Sequence, residues 1–165
     1  MNKLLKITRI IALVSCLAVM GLTPVMAAGH SSPMEVLIEI ESPLAFEETI
    51  AKLRSNAKKL GWKVPKKWAK NFQKNLKYVT KVDVGRNLVV EMCEPYAAVD
   101  LLIHDKYKKF LAMMPCSVAI YEKSDGKVYL SMMNIRALAQ MFSGKEIDDL
   151  VNKLAPQMDE MVKMQ

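Results

Sequence analysis

The sequence predicts a single α+β domain that follows a cleaved export signal, and three observations lead to this prediction. Apolar and polar residues alternate from Met34 to Glu41, which is the two-residue period of a half-buried strand. Apolar residues then recur every three or four positions from Phe46 to Leu60, which is the period of an amphipathic helix. The chain has 165 residues, enough for one domain with its own core.

Turn and cap residues delimit the elements of the first half. Ser42 and Pro43 predict the start of the first helix, with Ser42 as its N-cap, and Gly61 predicts its end. A short strand is expected at residues 62–64 and a buried strand at residues 88–93. Strands and helices therefore alternate along the chain, as the α+β class requires.

The second half is predicted to contain a helix, a β-hairpin and two further helices. The predicted ranges are 94–104 for a helix, 116–122 and 127–132 for the paired strands, and 135–142 for a helix. The pair Asp125-Gly126 favours the tight turn of the hairpin. Ser143 and Glu146 have the spacing of a capping box at the start of the last helix, which Pro156 is expected to kink or interrupt.

Residues 1–27 have the pattern of a bacterial secretory signal peptide. Three basic residues precede an apolar run at residues 10–22, and small residues precede the predicted cleavage after Ala27. The run is shorter than the roughly 20 residues that a membrane span needs. A lipoprotein anchored at Cys16 is the alternative. We therefore expect a periplasmic or secreted protein without a transmembrane helix, in which residues 28–33 form a flexible N-terminal tail.

The positive charge is concentrated in one segment. The formal net charge of +7 falls to +4 when residues 1–27 are removed. Residues 28–51 carry a net charge of −5, residues 52–86 carry +11, and residues 87–165 carry −2. Because the charge is confined in this way, and because an exported protein seldom meets DNA or RNA, no nucleic-acid partner is expected.

Several motifs of the mature chain carry a family resemblance. They are VEMCEPYA at 90–97, MPCSVAIYE at 114–122, DGKV at 125–128, Met133-Asn134, and upstream Glu48-Thr49, Leu53 and GWKV at 61–64. With these motifs the sequence resembles the family called domain of unknown function 302 over residues 34–142, followed by a C-terminal helix at 143–165. The resemblance implies a curved antiparallel sheet with helices packed on one face, in the order β-α-β-β-β-β-α. It implies no catalytic residue, since the family has no assigned activity.

Cys93 and Cys116 are the two cysteines of the mature chain, and each lies at the end of a predicted strand. One predicted helix separates them, so we expect both thiols at one edge of the sheet. Three interpretations remain open: two small buried side chains, a structural disulfide, or a dithiol for redox exchange or Cu(I) binding with Met114 as a further soft ligand. A thiol oxidoreductase is the only enzymatic function with any support, and it would require a lowered thiol pKa.

A second candidate metal site depends on where the signal is cut. Cleavage after Ala27 leaves Ala28-Gly29-His30 at the new N-terminus. The amine, the amide nitrogens and the imidazole of these residues can bind Cu(II) or Ni(II) in a square plane. Copper is thus the cofactor that the sequence suggests, whereas the paired methionines are expected mainly to fill the core.

The segment 66–77 is predicted to form a basic amphipathic helix. Its apolar stripe would be Trp68, Phe72 and Leu76, and its lysines are Lys66, Lys67, Lys70, Lys74 and Lys77. Such a helix can bind an acidic protein or an anionic membrane surface. The alternative is a connecting helix whose stripe packs on the sheet and whose lysines are merely solvated.

The favoured function is a small periplasmic binding module, redox-linked or metal-linked, centred on Cys93 and Cys116. The alternative function is a non-catalytic interaction protein that docks through segment 66–77. The expected partner is an unknown small ligand, a metal or an acidic protein, and self-association into a homo-oligomer is left open.

Overall fold

A five-stranded antiparallel sheet organises residues 34–165, which are the residues that the computed structural model describes. The strands are β1 (Leu37–Ser42), β2 (Ala69–Asn71), β3 (Asn87–Met92), β4 (Cys116–Glu122) and β5 (Val128–Met133). Their order across the sheet is β1-β5-β4-β3-β2, and each neighbouring pair is antiparallel. β1 and β2 are therefore the two edges of an open sheet, and the predicted α+β class with an antiparallel sheet is confirmed.

Helices lie in every connection except the turn between β4 and β5. They are α1 (Phe46–Lys59), α2 (Phe72–Thr80), α3 (Pro95–Leu102), α4 (Ile135–Met141) and α5 (Lys145–Met161), with 3-10 segments at Lys66–Trp68 and Asp105–Met113. Among residues 34–165, none of the helices has the length and apolar content needed to cross a bilayer.

The core lies between one face of the sheet and helices α1, α3 and α5. Alternate residues of the central strands are buried on this face, and they are Val90, Met92, Val118, Ile120, Leu130 and Met132. Leu53 of α1, Leu101 of α3 and Ile147 of α5 belong to the same cluster. Met158, Met161 and Met164 near the C-terminus are also buried, which confirms that these methionines fill the core.

The turns that the glycines predict are present. α1 ends at Lys59, and Gly61 follows with a φ of 87°, a conformation that glycine adopts without a steric penalty. The Asp125-Gly126 turn closes the hairpin between β4 and β5, with Lys123 N donating to the carbonyl of Lys127 at 3.0 Å. These local signals therefore placed the end of α1 and the hairpin correctly.

The predicted N-cap at Ser42 is wrong. Ser42 is the last residue of β1, and its buried hydroxyl lies 2.7 Å from the hydroxyl of Thr49. α1 begins later, at Phe46, and Ala45 is its N-cap. The hydroxyl of Ser42 is thus used to pair a buried polar group of α1, because an unpaired hydroxyl in the core would be costly.

The start and the continuity of α5 also differ from the prediction. Its N-cap is Gly144, not Ser143, and the Glu146 carboxylate accepts a hydrogen bond from the Tyr107 hydroxyl at 2.9 Å. α5 is not interrupted at Pro156 but continues to Met161. Buried residues on both sides of the proline hold the two halves of the helix against the same core.

The segment 66–77 is not a single helix. Residues 66–68 form a 3-10 turn, residues 69–71 form β2, and α2 begins only at Phe72. The reason is long-range pairing: Ala69 lies opposite Val90 of β3, so this part of the segment is extended. Residues 62–64 likewise form an isolated bridge between Lys63 and Cys93 instead of a regular strand.

Candidate functional site

Two strand ends bring Cys93 and Cys116 to the same end of the sheet. Cys116 is the first residue of β4 and lies opposite Met92, the last residue of β3. Cys93 follows Met92, and Lys63 fixes its backbone: Lys63 N donates to the Cys93 carbonyl at 2.8 Å, and Cys93 N donates to the Lys63 carbonyl at 3.0 Å. The thiols are therefore carried by backbone that hydrogen bonds hold in place.

Both cysteines line one small cavity of about 60 Å³. Its other walls are mostly apolar side chains, and Glu94 is the one charged residue of the lining; the apolar residues include Trp62, Leu101, Phe110, Leu138, Leu150 and Leu154, together with Met113 and Met114. A cavity of this size admits an ion or a few water molecules, whereas organic ligands occupy roughly 300–1,000 Å³.

A larger cavity of about 540 Å³ adjoins the small one and shares Met113, Met114 and Cys116 with it. It adds three more methionines, Met132, Met133 and Met158. Two thiols and five thioethers therefore line the two cavities, and we call this region the sulfur-lined site. Sequence reasoning found Cys93, Cys116 and Met114. It assigned the other methionines mainly to the core, where Met132 and Met158 are indeed buried, but no local pattern shows that they also border a cavity.

Cys93 and Cys116 are both free thiols. Of the three interpretations that the sequence left open, the structural disulfide is thus the one that this structure does not contain. The remaining two are a pair of packed small side chains and a dithiol site.

The surroundings of both thiols favour the protonated form. Burial raises the pKa of Cys93, and the negative charge of neighbouring Glu94 raises it further. Burial also raises the pKa of Cys116 to about 11, with a smaller contribution from Cys93. A thiol oxidoreductase needs a thiolate near neutral pH, so these environments do not favour that chemistry.

Glu94 is a member of the site that sequence reasoning used only as the start of a helix. Its carboxylate accepts hydrogen bonds from Ala97 N at 2.5 Å and Tyr96 N at 3.4 Å, and Lys153 Nζ lies 3.4 Å away. Burial alone would raise the pKa of Glu94, but these partners outweigh burial and lower it. An ionised carboxylate thus stays beside Cys93 at neutral pH.

The order of thiol reactivity follows from these environments. We expect iodoacetamide to alkylate Cys93 faster than Cys116, because the thiolate is the reacting species and the more deeply buried thiol of Cys116 has a pKa raised to about 11. Both alkylation rates should rise by about tenfold per pH unit from pH 7 to pH 8.5, because this range lies below the pKa of either thiol. Peptide mass mapping of samples quenched at successive times measures the two rates. A rate for Cys93 that levels off below pH 8 would contradict the raised pKa.

Among residues 34–165, no three His, Cys, Asp or Glu side chains lie close enough together to hold a metal ion. Methionine is not one of these four residue types, and Met114 lines the small cavity together with both cysteines. Ala28, Gly29 and His30, the signal peptide at 1–27 and Cys16 all lie outside the described residues.

The predicted partner-binding lysines are placed apart from the sulfur-lined site. Lys70 forms an ion pair with Glu91, and Lys77 forms one with Asp83. Neither cavity of the sulfur-lined site is lined by any residue of 66–77. Because Trp68 precedes β2, it does not share a helix face with Phe72 and Leu76 as the sequence predicted.

The fold and the site define a class of small α+β protein. It has an open antiparallel sheet, and cysteine and methionine residues line cavities at one end of that sheet. The chain belongs to the family described as Domain of unknown function DUF302, whose model matches residues 38–164. The match includes α5, beyond residue 142, where the sequence resemblance ended.

One solved structure similar to this chain is that of an uncharacterized conserved DUF302 protein from Bacillus stearothermophilus. The two share a TM-score of 0.68 and 16% sequence identity, over 78% of this chain and 97% of the other. At this identity the likeness shows the fold alone. No curated protein sequence matches the chain.

Proposed function

We propose that this protein is an exported Cu(I)-binding module in which Cys93 and Cys116 are ligands and Met114 is the third, softer ligand. The observation that carries the proposal is the small cavity that these three side chains line together at one end of the sheet. Both cysteines are free thiols and so are available as ligands.

The donor set suits a soft monovalent ion. Thiolate and thioether sulfur favour Cu(I), while harder ions prefer oxygen ligands or imidazole. Binding releases two thiol protons for each Cu(I), so the ion offsets one of the two thiolate charges and leaves a net charge of −1 at the site. Lys153, whose Nζ lies 3.4 Å from the Glu94 carboxylate, is the nearby cation that already compensates the charge of Glu94. The small volume of the cavity also supports an ion as its occupant in preference to an organic molecule.

Anaerobic titration with Cu(I) against a chromogenic Cu(I) chelator tests the proposal. The protein is recovered from the periplasmic fraction, where its intact mass shows whether residues 1–27 have been removed. We expect one Cu(I) per chain at this site. Cys93→Ser and Cys116→Ser should each weaken binding by at least about a hundredfold, more than the loss of a residue that merely orients a ligand. Met114→Leu should weaken binding by about tenfold.

Two further variants serve as controls. Met141→Leu changes a methionine that is 64% exposed and lines neither cavity, so it should bind Cu(I) like the wild type. His30→Ala removes the imidazole of the N-terminal candidate site and should leave Cu(I) binding unchanged. Equal Cu(I) affinity of the wild type and the Cys93→Ser/Cys116→Ser double variant would refute the proposal.

A further inference from the structure

Exposed apolar side chains cluster around the C-terminal end of α2. The described residues include fourteen exposed large apolar side chains, and six of them lie between positions 72 and 84. The most exposed are Tyr78 at 79%, Val79 at 75% and Val82 at 59%. We call these three residues the α2 tip. Such a concentration in 13 consecutive positions is unlike scattered surface hydrophobes and marks an interaction surface.

The three residues of the tip lie on either side of the turn that ends α2. Lys81 has a φ of 64° and is the only residue other than glycine with positive φ among residues 34–165. This left-handed residue ends the helix, and its backbone N–H donates to the Lys77 carbonyl at 3.0 Å. The helix thus ends one residue after Val79, and Val82 is the second residue beyond Thr80, the last residue of α2.

Two lysines near the tip in the sequence have no acidic partner. Within residues 34–165, Lys74 and Lys81 form no ion pair, and Lys81 Nζ lies 5.3 Å from the centre of the Tyr78 ring. Asp83 is the only acidic residue between positions 66 and 86, and Lys77 already pairs with it at 2.8 Å. The segment therefore presents net positive charge beside an exposed apolar tip.

We propose that the α2 tip docks this protein on an anionic lipid bilayer. Surfaces that bind peripherally to membranes combine apolar side chains, which enter the boundary between head groups and acyl chains, with lysines, which meet anionic head groups. Tyr78 suits that boundary because it joins an apolar ring to a polar hydroxyl. The tip replaces the stripe of Trp68, Phe72 and Leu76 that the sequence predicted as the contact, and it lines no part of the sulfur-lined site.

Vesicle flotation tests this surface. The wild-type protein is mixed with vesicles of phosphatidylglycerol and phosphatidylcholine in equal parts, or of phosphatidylcholine alone. We expect binding to the anionic vesicles to be at least about tenfold stronger, and to weaken as sodium chloride shortens the range of the attraction. Tyr78→Ser/Val79→Ser/Val82→Ser should lower the partition coefficient by about tenfold or more. Lys74→Gln/Lys81→Gln should lower it by about fivefold per lysine.

A matched variant on another exposed surface separates the tip from general hydrophobicity. Tyr96→Ser/Val99→Ser/Ile103→Ser removes three apolar side chains of similar exposure near α3 and should bind vesicles like the wild type. Every variant keeps the same N-terminus, so any contribution of residues 1–33 cancels in the comparison.

Three outcomes would overturn the proposal. The first is equal binding of the wild type to anionic and neutral vesicles. The second is an equal loss of vesicle binding in the tip variant and in the control variant. The third is a wild-type dimer, measured by light scattering, that the tip substitutions dissociate, since the tip would then be an interface between two copies. Circular dichroism of each variant confirms that the fold is retained.

Discussion

Leu53→Ala is expected to lower the free energy of unfolding by about 2–5 kcal/mol. Leu53 lies in the middle of α1, has no exposed surface, and belongs to the cluster that joins α1 to the sheet and to α5. The substitution removes buried methyl groups and leaves a cavity that close-packed neighbours refill only in part. Urea denaturation measures the effect as a lower midpoint with an unchanged slope.

Leu37→Ala is the matched control for this prediction. It makes the same chemical change at a residue of β1 that is 61% exposed, so the free energy of unfolding should change by less than about 0.5 kcal/mol. If the two variants lost similar stability, α1 would not be packed against the sheet as described.

Gly144→Ala is expected to lower the free energy of unfolding by about 2–5 kcal/mol, although it adds only one methyl group. Gly144 has a φ of 146°, where a residue with a Cβ is strained. The new methyl group would also overlap the hydroxyl of Tyr107, which donates a hydrogen bond to Glu146 at 2.9 Å. Thermal or urea denaturation followed by circular dichroism measures the loss.

The variant Gly126→Ala serves to distinguish backbone strain from steric overlap with a neighbouring side chain. Gly126 also has positive φ, at 80°, but a Cβ built there meets no atom within 4 Å. This variant should therefore lose only the about 1–2 kcal/mol that an L-residue pays in the left-handed region. Equal losses at the two positions would show that Tyr107 moves aside without cost. Gly144→Ala combined with Tyr107→Phe should recover part of the loss, because the overlapping hydroxyl is then absent.

Elements with a strong local period were predictable from the sequence. α1 was found because its apolar residues repeat at helical spacing, and the β4–β5 hairpin because Asp125-Gly126 favours its turn. The prediction of one helix over residues 66–77 was wrong because residues 69–71 pair with β3 to form β2. The spacing of apolar residues within the segment does not indicate this long-range pairing. Ser42 was mistaken as a cap because its true partner, Thr49, lies seven residues away on the core side of α1.

The candidate site was predictable only in part for a similar reason. The positions of Cys93 and Cys116 at two strand ends indicated that they would share an edge. The 3-10 segment Asp105–Met113 brings Met113 to the same cavity, while α5 brings Met158 to the adjoining one. Met158 lies 42 residues after Cys116 in the sequence, so its placement depends on tertiary packing that spacing in the sequence does not encode.

α5 takes part in both the interior of the domain and the wall of the sulfur-lined site. Leu154 lines the small cavity and Met158 the large one, and both side chains are buried. A substitution at either residue is therefore expected to change the packing of the core and the shape of a cavity together. Met113 and Met114 also line both cavities, but they are only half-buried and pack against the same core. A volume-conserving change at Met113 is therefore expected to alter the cavity at a smaller cost in stability than a change at Leu154 or Met158.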